Sequence, residues 1–324
     1  MTGVQDGCEH CVTAGQAACL SAGAGLRVIG VSVEPGTSSR HYGSKVVAVE
    51  PGGNEPIPDE ERHGRPIRLF WMWTSPNLEF ATIFVGVLSV LVFKLTFGQA
   101  VAAILLGNGL AAIAHGVLSA HGPRVGVPQM VLGRLAFGYR GNALPAGLMT
   151  ITSGCGWFAV NSVSASFALT ELTGLPVVAA LVLVVLVQVG VAFFGHNLVH
   201  AFERVAFPVL AVIFLIGAVI VLTGFDPAAL PAEGGTGGLA GFLLTVGAVF
   251  GYTAGWSPYA ADYARYLPAD SPRLRTGLAA GIGLITSTSL LMIVGAASVC
   301  AATGAGLTSD NPTANVTGLL PGWL

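Results

Sequence analysis

Charge is what this sequence has least of. Its 14 Lys and Arg and 16 Asp and Glu amount to 9% of 324 residues, where a soluble globular domain carries about a quarter. The net charge is only −2, so the electrostatic footprint of a nucleic-acid-binding protein is missing. Cysteine is scarce as well, five in all. Cys8, His10 and Cys11 hint at a metal knuckle, but only Cys19 stands near enough to be a fourth ligand, at a spacing that suits none, and incidental thiols are the favoured reading. Cys155 and Cys300 fall in apolar runs and read as reduced packing residues. No nucleophile–base pair and no metal-ligand motif emerges, so the chain does not read as an enzyme and implies no cofactor. A basic start followed directly by an apolar core and a cleavage site is also lacking, which argues against a signal peptide.

Apolar sequence is abundant instead. Hydrophobic residues make up 53% of the chain and the mean hydropathy is +0.74. Leu95–Pro123, Gly141–Thr170, Leu172–Phe202, Val205–Phe225, Gly234–Ala261 and Thr276–Ser309 hold no Asp, Glu, Lys or Arg, and each exceeds the roughly 20 residues a helix needs to cross a bilayer. Seven spans are expected, at about 69–93, 97–119, 145–172, 176–195, 201–223, 239–266 and 276–302, the fourth opened by Pro176. They make up a transmembrane domain over 66–303. Residues 1–65, rich in Gly, Ser, Pro and charge, read as a disordered cytoplasmic tail. Residues 304–324 are too polar and too short to cross. Their abrupt finish on Gly322, Trp323 and Leu324 reads as a cut before an eighth span.

Orientation follows from the basic residues. Arg27, Arg40, Lys45, Arg62, Arg65 and Arg68 precede or open span one. Arg124, Arg134 and Arg140 separate spans two and three, Arg204 lies near the start of span five, and Arg265, Arg273 and Arg275 separate spans six and seven. Lys94 alone falls on the other side. The N-terminus is therefore expected in the cytoplasm and the chain in the plasma membrane.

Two spans are interrupted in the same way. Trp73, Thr74, Ser75, Pro76 and Asn77 stand near the start of span one; Gly255, Trp256, Ser257 and Pro258 stand inside span six. Proline removes a donor and glycine adds freedom, and backbone groups freed inside hydrocarbon are tolerated only beside protein or a water-filled cavity. A Pro-kinked span with a core Trp is the plainer account of either break alone. Paired breaks at matching positions of two halves point to the midplane site of an inverted-repeat transporter. Glu79 sits just past the first break, where a carboxylate within a span marks function by default; it is read as a proton-coupling acid, a cation ligand or a structural partner to a backbone donor. Thr74 is grouped with it as a cation contact, and Ser75 and Asn77 as polar contacts to substrate or cation. Trp157 and Asn161 are four apart and share one helix face. Asp262 and Arg265, three apart near the cytoplasmic end of span six, are expected to pair as a local or gate-forming salt bridge. His115 and His121 end span two and read as surface residues. His196, His200 and Glu203 flank a cytoplasmic turn, a solvated loop being favoured over a metal site.

Four segments resemble the nucleobase–cation symporter-1 family, in particular its purine–cytosine permease branch: Glu50–Asp59, Arg134–Gly141, Gly156–Asn161 and, most specifically, Ala254–Tyr263. The resemblance implies an all-α polytopic membrane protein of the LeuT-type inverted-repeat fold, with about seven of an expected twelve helices present. It also implies that Trp157, Asn161 and Trp256 line the substrate pocket, a flat nucleobase needing π-faces for stacking and an amide for its edge. The implied function is a permease that imports a purine or pyrimidine base, such as cytosine, with H+ or Na+. Spans one, two, six and seven should form a bundle that rocks against a scaffold. With an eighth span absent, the chain alone is not expected to transport, and Glu79 and the carbonyls near Thr74 and Ser75 should face lipid. The competing function is a non-transporting seven-span fragment, receptor-like or part of an assembly; its N-terminus would normally lie outside, against the charge count.

Overall fold

The structure is a computed structural model and describes residues 53–232, 234–307 and Leu319. Cys8, His10, Cys11 and Cys19 lie outside the described residues, as do the side chains of His196 and His200, so neither metal reading is addressed. The architecture is helical. Helix α1 (Ile67–Thr74) runs into a 3-10 turn at Ser75–Asn77 and is followed by α2 (Phe80–Leu91), bent 69° from it. The proline stands in that turn, so span one breaks where its sequence withdraws a donor. Helix α3 (Phe97–Ser119) starts on a capping box, with Gln99 N–H donating to Thr96 Oγ1 and Thr96 N–H to Gln99 Oε1. Four short helices follow: α4 (Gly122–Val125), α5 (Gln129–Leu132), α6 (Arg134–Gly141) and α7 (Ala143–Met149). Span three continues through a π-helical stretch, Thr150–Trp157, into α8 (Phe158–Thr173). Helix α8 stops at Gly174, whose φ of 72° is the left-handed cap that glycine supplies. Pro176 then serves as the cap residue of α9 (Val177–Phe194), one position earlier than a first-turn proline. Helices α10 (His196–Thr223), α11 (Gly238–Ala254) and α12 (Arg273–Gly304) complete the described set. Beyond α11, span six does not resume as an α-helix but descends through 3-10 turns at Ser257–Tyr259 and Ala264–Tyr266.

Among the described residues six helical stretches are long and apolar enough to cross a membrane, or seven if the bent pair α1–α2 is one span. They fall into two groups. Helices α1, α2, α3, α11 and α12, which are spans one, two, six and seven, pack on one another around Val87, Val90, Ile104, Val249, Met292 and Ala296. Helix α12 runs through the middle of this bundle and is buried along most of its length. Helices α8, α9 and α10 pack in sequence beside it and present Val178, Leu186, Phe193 and Leu215 outward. In a bilayer an apolar outer face costs nothing, and helices associate instead through close backbone approach at small residues. Gly86 of α2 and Gly295 of α12 provide it, one against the Met292 carbonyl and the other against that of Ile83. Polar side chains add cross-links: Thr253 Oγ1 donates to Asn108 Oδ1, and Asn108 Nδ2 donates to Ser289 Oγ at 3.0 Å, joining spans six, two and seven.

Four expectations are corrected. From Gly53 onward the stretch before span one is not a structureless tail. Ile57 is buried and its N–H donates to Gly126 O, while Arg62 donates to Ile57 O and Pro123 O and pairs with Asp59. These contacts strap the segment beneath the end of span two, because a buried guanidinium must satisfy its donors. Among the described residues no ion pair closes between Asp262 and Arg265. Asp262 Oδ1 accepts from the Gln129 N–H at 2.8 Å, and Arg265 turns to Gly53 O and the Tyr266 hydroxyl. His121 is exposed as expected, but His115 is fully buried, its ring edge-on to Trp73 with centroids 4.2 Å apart. Cys155 is exposed on the π-helical stretch, whereas Cys300 is buried.

Candidate functional site

Both breaks open onto one cavity of about 440 Å3, within the range of small-molecule pockets. Pro76 and Glu79 enter it from span one, Ser153, Trp157, Phe158 and Asn161 from span three, and Tyr252, Gly255, Trp256 and Tyr259 from span six. The walls are largely aromatic. Trp157 meets Tyr252 edge-to-face at 5.9 Å between centroids, and Trp256 meets Tyr259 at 6.3 Å. Trp157 lines the cavity and is 38% exposed.

Hydrogen bonds behind this wall hold the broken turn. Asn77, fully buried, donates from Nδ2 to Trp73 O at 2.8 Å, and its Oδ1 accepts from Trp256 Nε1 at 2.9 Å. One carboxamide thereby satisfies a carbonyl freed by the break in span one and fixes the indole of span six. Thr82 Oγ1 donates to Asn77 O and lies 2.8 Å from the Tyr252 hydroxyl, which donates to Glu79 Oε1 at 2.8 Å. A tyrosine hydroxyl has one hydrogen to give. With Glu79 ionised, that hydrogen goes to the carboxylate. With Glu79 protonated, the carboxyl can donate to Tyr252 and release the tyrosine hydrogen towards Thr82. The direction of the Tyr252 hydrogen thus follows one proton on Glu79, while the Thr82 hydrogen stays on Asn77 O.

The residues singled out from sequence divide cleanly. Trp157, Asn161, Trp256, Glu79, Pro76 and Gly255 come together on the cavity. Asn77 stands behind it as a support. Ser75, half-buried, and Pro258 are not on the lining. The Thr74 hydroxyl is taken up by Phe70 O at 2.7 Å and Gly283 O at 3.2 Å, tying span one to span seven. Asp262 and Arg265 lie away from the cavity among the strap contacts. The expectation that Glu79 and the freed carbonyls face lipid is not met: Thr74 is 8% exposed, Glu79 is half-buried under Tyr252, and the Ser75 carbonyl accepts from Leu78 N–H. The sequence reading does not reach Tyr252, Tyr259, Ser153 or Phe158. Tyr252 precedes Trp256 by one helical turn and Ser153 precedes Trp157 by four, so i,i+4 spacing from the two tryptophans was the available signal. The π-helical turn before Trp157 had no such signal, although π-turns recur at functional sites.

Comparison with known proteins identifies the family and the fold of the chain. The sequence profile of the family described as permease for cytosine/purines, uracil, thiamine, allantoin matches residues 56–313. A putative purine-cytosine permease of Bacillus subtilis is 31% identical over 242 residues, covering 75% of this chain and 52% of its own length. A purine-cytosine permease of Saccharomyces cerevisiae, FCY2, is 33% identical over 261 residues, covering 78% of this chain and 48% of its own. The chain spans about half the length of the curated relatives it matches. Among solved structures, Mhp1, a nucleobase-cation-symport-1 family transporter in a closed conformation with bromovinylhydantoin bound, superposes with a TM-score of 0.65 at 20% identity, over 82% of this chain and 63% of its own. An inward-facing conformation of Mhp1 superposes at 0.58. The LeuT-type fold implied by the four sequence segments is therefore the fold of the chain over most of its length.

Proposed function

The chain belongs to the family of permeases for cytosine/purines, uracil, thiamine and allantoin, and from that premise we propose that it supplies the binding site of a secondary active transporter, which imports a purine or pyrimidine nucleobase such as cytosine together with H+ or Na+. One observation carries the reading: two indoles, an amide and a carboxyl from three spans line one cavity beside two broken helices. In the proposed mechanism the base lies between Trp157 and Trp256, Asn161 pairs with its edge, and Glu79 takes an N–H of the base or the coupling cation. A base that donates to Glu79 competes with Tyr252 for the carboxyl, so substrate and proton act on the same hydroxyl chain. Thr74, Ser75, Asn77, Pro76, Pro258 and Gly255 shape the two breaks, and Asp262 and Arg265 secure the cytoplasmic end. The family is one of permeases rather than enzymes, and the chain is a multi-pass membrane protein.

Equilibrium binding of radiolabelled cytosine, adenine and hypoxanthine to the purified chain tests the site without requiring a complete transport cycle. Saturable binding of one base, displaced by the others, is the expected result; no saturable binding of any would overturn the reading. Glu79→Gln keeps an oxygen for Tyr252 but cannot exchange a proton. It is expected to abolish whatever dependence on pH or sodium the parent's binding shows. A dependence that survives in this variant would place coupling elsewhere.

In the proposed orientation the N-terminus is cytoplasmic in the plasma membrane, on the strength of the Lys and Arg distribution. Reporter fusions are expected to report a cytoplasmic location at Gly126 and Ser271 and an outside location at Leu230. The reverse pattern would invert the topology.

A further inference from the structure

Helix α9 is a run of 18 residues from Val177 to Phe194, and Gln188 is the one side chain in it that carries a hydrogen-bonding group. An amide in such a span needs a partner, since an unsatisfied polar group is costly where no water is at hand. Its partner is Ser162 of α8, 2% exposed, whose Oγ lies 2.8 Å from Gln188 Oε1 and 2.6 Å from Phe158 O. Ser162 is the immediate neighbour of Asn161 in sequence. Gln188 and Asn161 also line a common groove of about 610 Å3 between α8 and α9, and Asn161 and Phe158 line both that groove and the cavity. These two side chains therefore form the partition between the two spaces.

The plain account of such a bond is interhelical glue, which contributes to stability alone. The packing of α8 argues for more. It packs chiefly on α9 and on the π-helical stretch before it, and its ring-to-ring link to the bundle runs through Trp157 at its start. Ser162 and Ser166 of α8 and Ala180 of α9 are small and buried. Small side chains offer little directional resistance to a helix turning about its axis; a hydrogen bond between Ser162 and Gln188 does offer it. Rotation of α8 about its axis is the variable that aims Asn161 at the cavity. We infer that Gln188 is a positioning residue for substrate: by holding Ser162 it sets the rotation of α8 and so the direction in which the Asn161 carboxamide faces. This rests on the proposed role of Asn161 in base binding, and goes beyond it by assigning a residue that does not line the cavity.

The test is a double-mutant cycle on the purified chain, read as affinity for whichever base the parent binds, with thermal midpoints measured in parallel. Gln188→Leu is expected to weaken binding by about 3- to 20-fold, the range of a single interhelical hydrogen bond, while the midpoint shifts little. Ser162→Ala should reproduce that loss, and Ser162→Thr, which keeps the hydroxyl, should restore parental affinity. In an Asn161→Ala background, Gln188→Leu should have no further effect. Parental affinity in Gln188→Leu would overturn the inference, as would an equal loss with and without Asn161. Those outcomes are separate from failure of the site itself, which would appear as parental affinity in Asn161→Ala.

Discussion

Trp256→Ala is expected to lower the affinity of the chain for its base by about 5- to 150-fold, the equivalent of the roughly 1–3 kcal/mol that one base–aromatic stack contributes. The indole has two roles that separate by substitution. Its face lines the cavity, and its Nε1 donates to the buried Asn77 Oδ1 at 2.9 Å. Alanine removes both. Trp256→Phe keeps a π-face and removes only the donor, leaving an amide oxygen buried without its partner at a cost of about 1–3 kcal/mol. The phenylalanine variant should therefore retain most of the affinity and lose thermal stability. Radioligand binding and a thermal-unfolding midpoint on both variants give the answer. Affinity within a factor of about two of the parent in Trp256→Ala would remove stacking on span six from the mechanism.

The second large effect is expected in the bundle seam. A Cβ on Gly86 would run into the Met292 carbonyl of α12, which is backbone and cannot swing aside. Gly86→Ala must therefore push α2 away from the helix on which the bundle is centred, and overpacking of this kind costs about 1–3 kcal/mol or more. Gly247→Ala in α11 is the matched control, since nothing lies within 4 Å of a Cβ placed there. Alanine is also the better helix former, by up to about 1 kcal/mol in an interior position. Monodispersity after heating in detergent is expected to fall sharply for Gly86→Ala and to hold or improve for Gly247→Ala. Equal midpoints would mean that the α2–α12 approach is looser than the packing indicates.

Several cavity-lining side chains are legible in the sequence because their signals are local. Trp157 and Asn161 share a face by spacing alone, and the breaks at Pro76 and Pro258 follow from proline's missing donor. Tyr252 carries only the i,i+4 spacing from Trp256 as a local signal, and Tyr259 carries none, because aromatics are common in apolar spans and little marks which of them turns inward. His115 departs from its local expectation for a related reason. The end of a span is ordinarily a wet place for a histidine, but here Trp73 packs edge-on against its ring. Asp262 and Arg265 have the spacing of a helical pair, yet other partners take up both groups: the Gln129 N–H donates to Asp262, and Arg265 donates to Gly53 O and the Tyr266 hydroxyl, and spacing alone does not reveal those partners.

By itself the sequence determined the class of the protein, the positions of its spans to within a few residues, the two interruptions and the family. Each of these is written in composition or local order, and the hydrocarbon core enforces them one segment at a time, since every span must satisfy its own backbone. Tertiary structure alone decided which polar groups face the cavity and which face each other. Asn77 and Trp256 are 179 residues apart, Glu79 and Tyr252 173, and Thr74 and Gly283 209. No local rule relates residues at such separations. Their pairing follows from the close approach of helices at glycine seams, which brings the two breaks to one level and leaves each donor with the acceptor that packing places beside it.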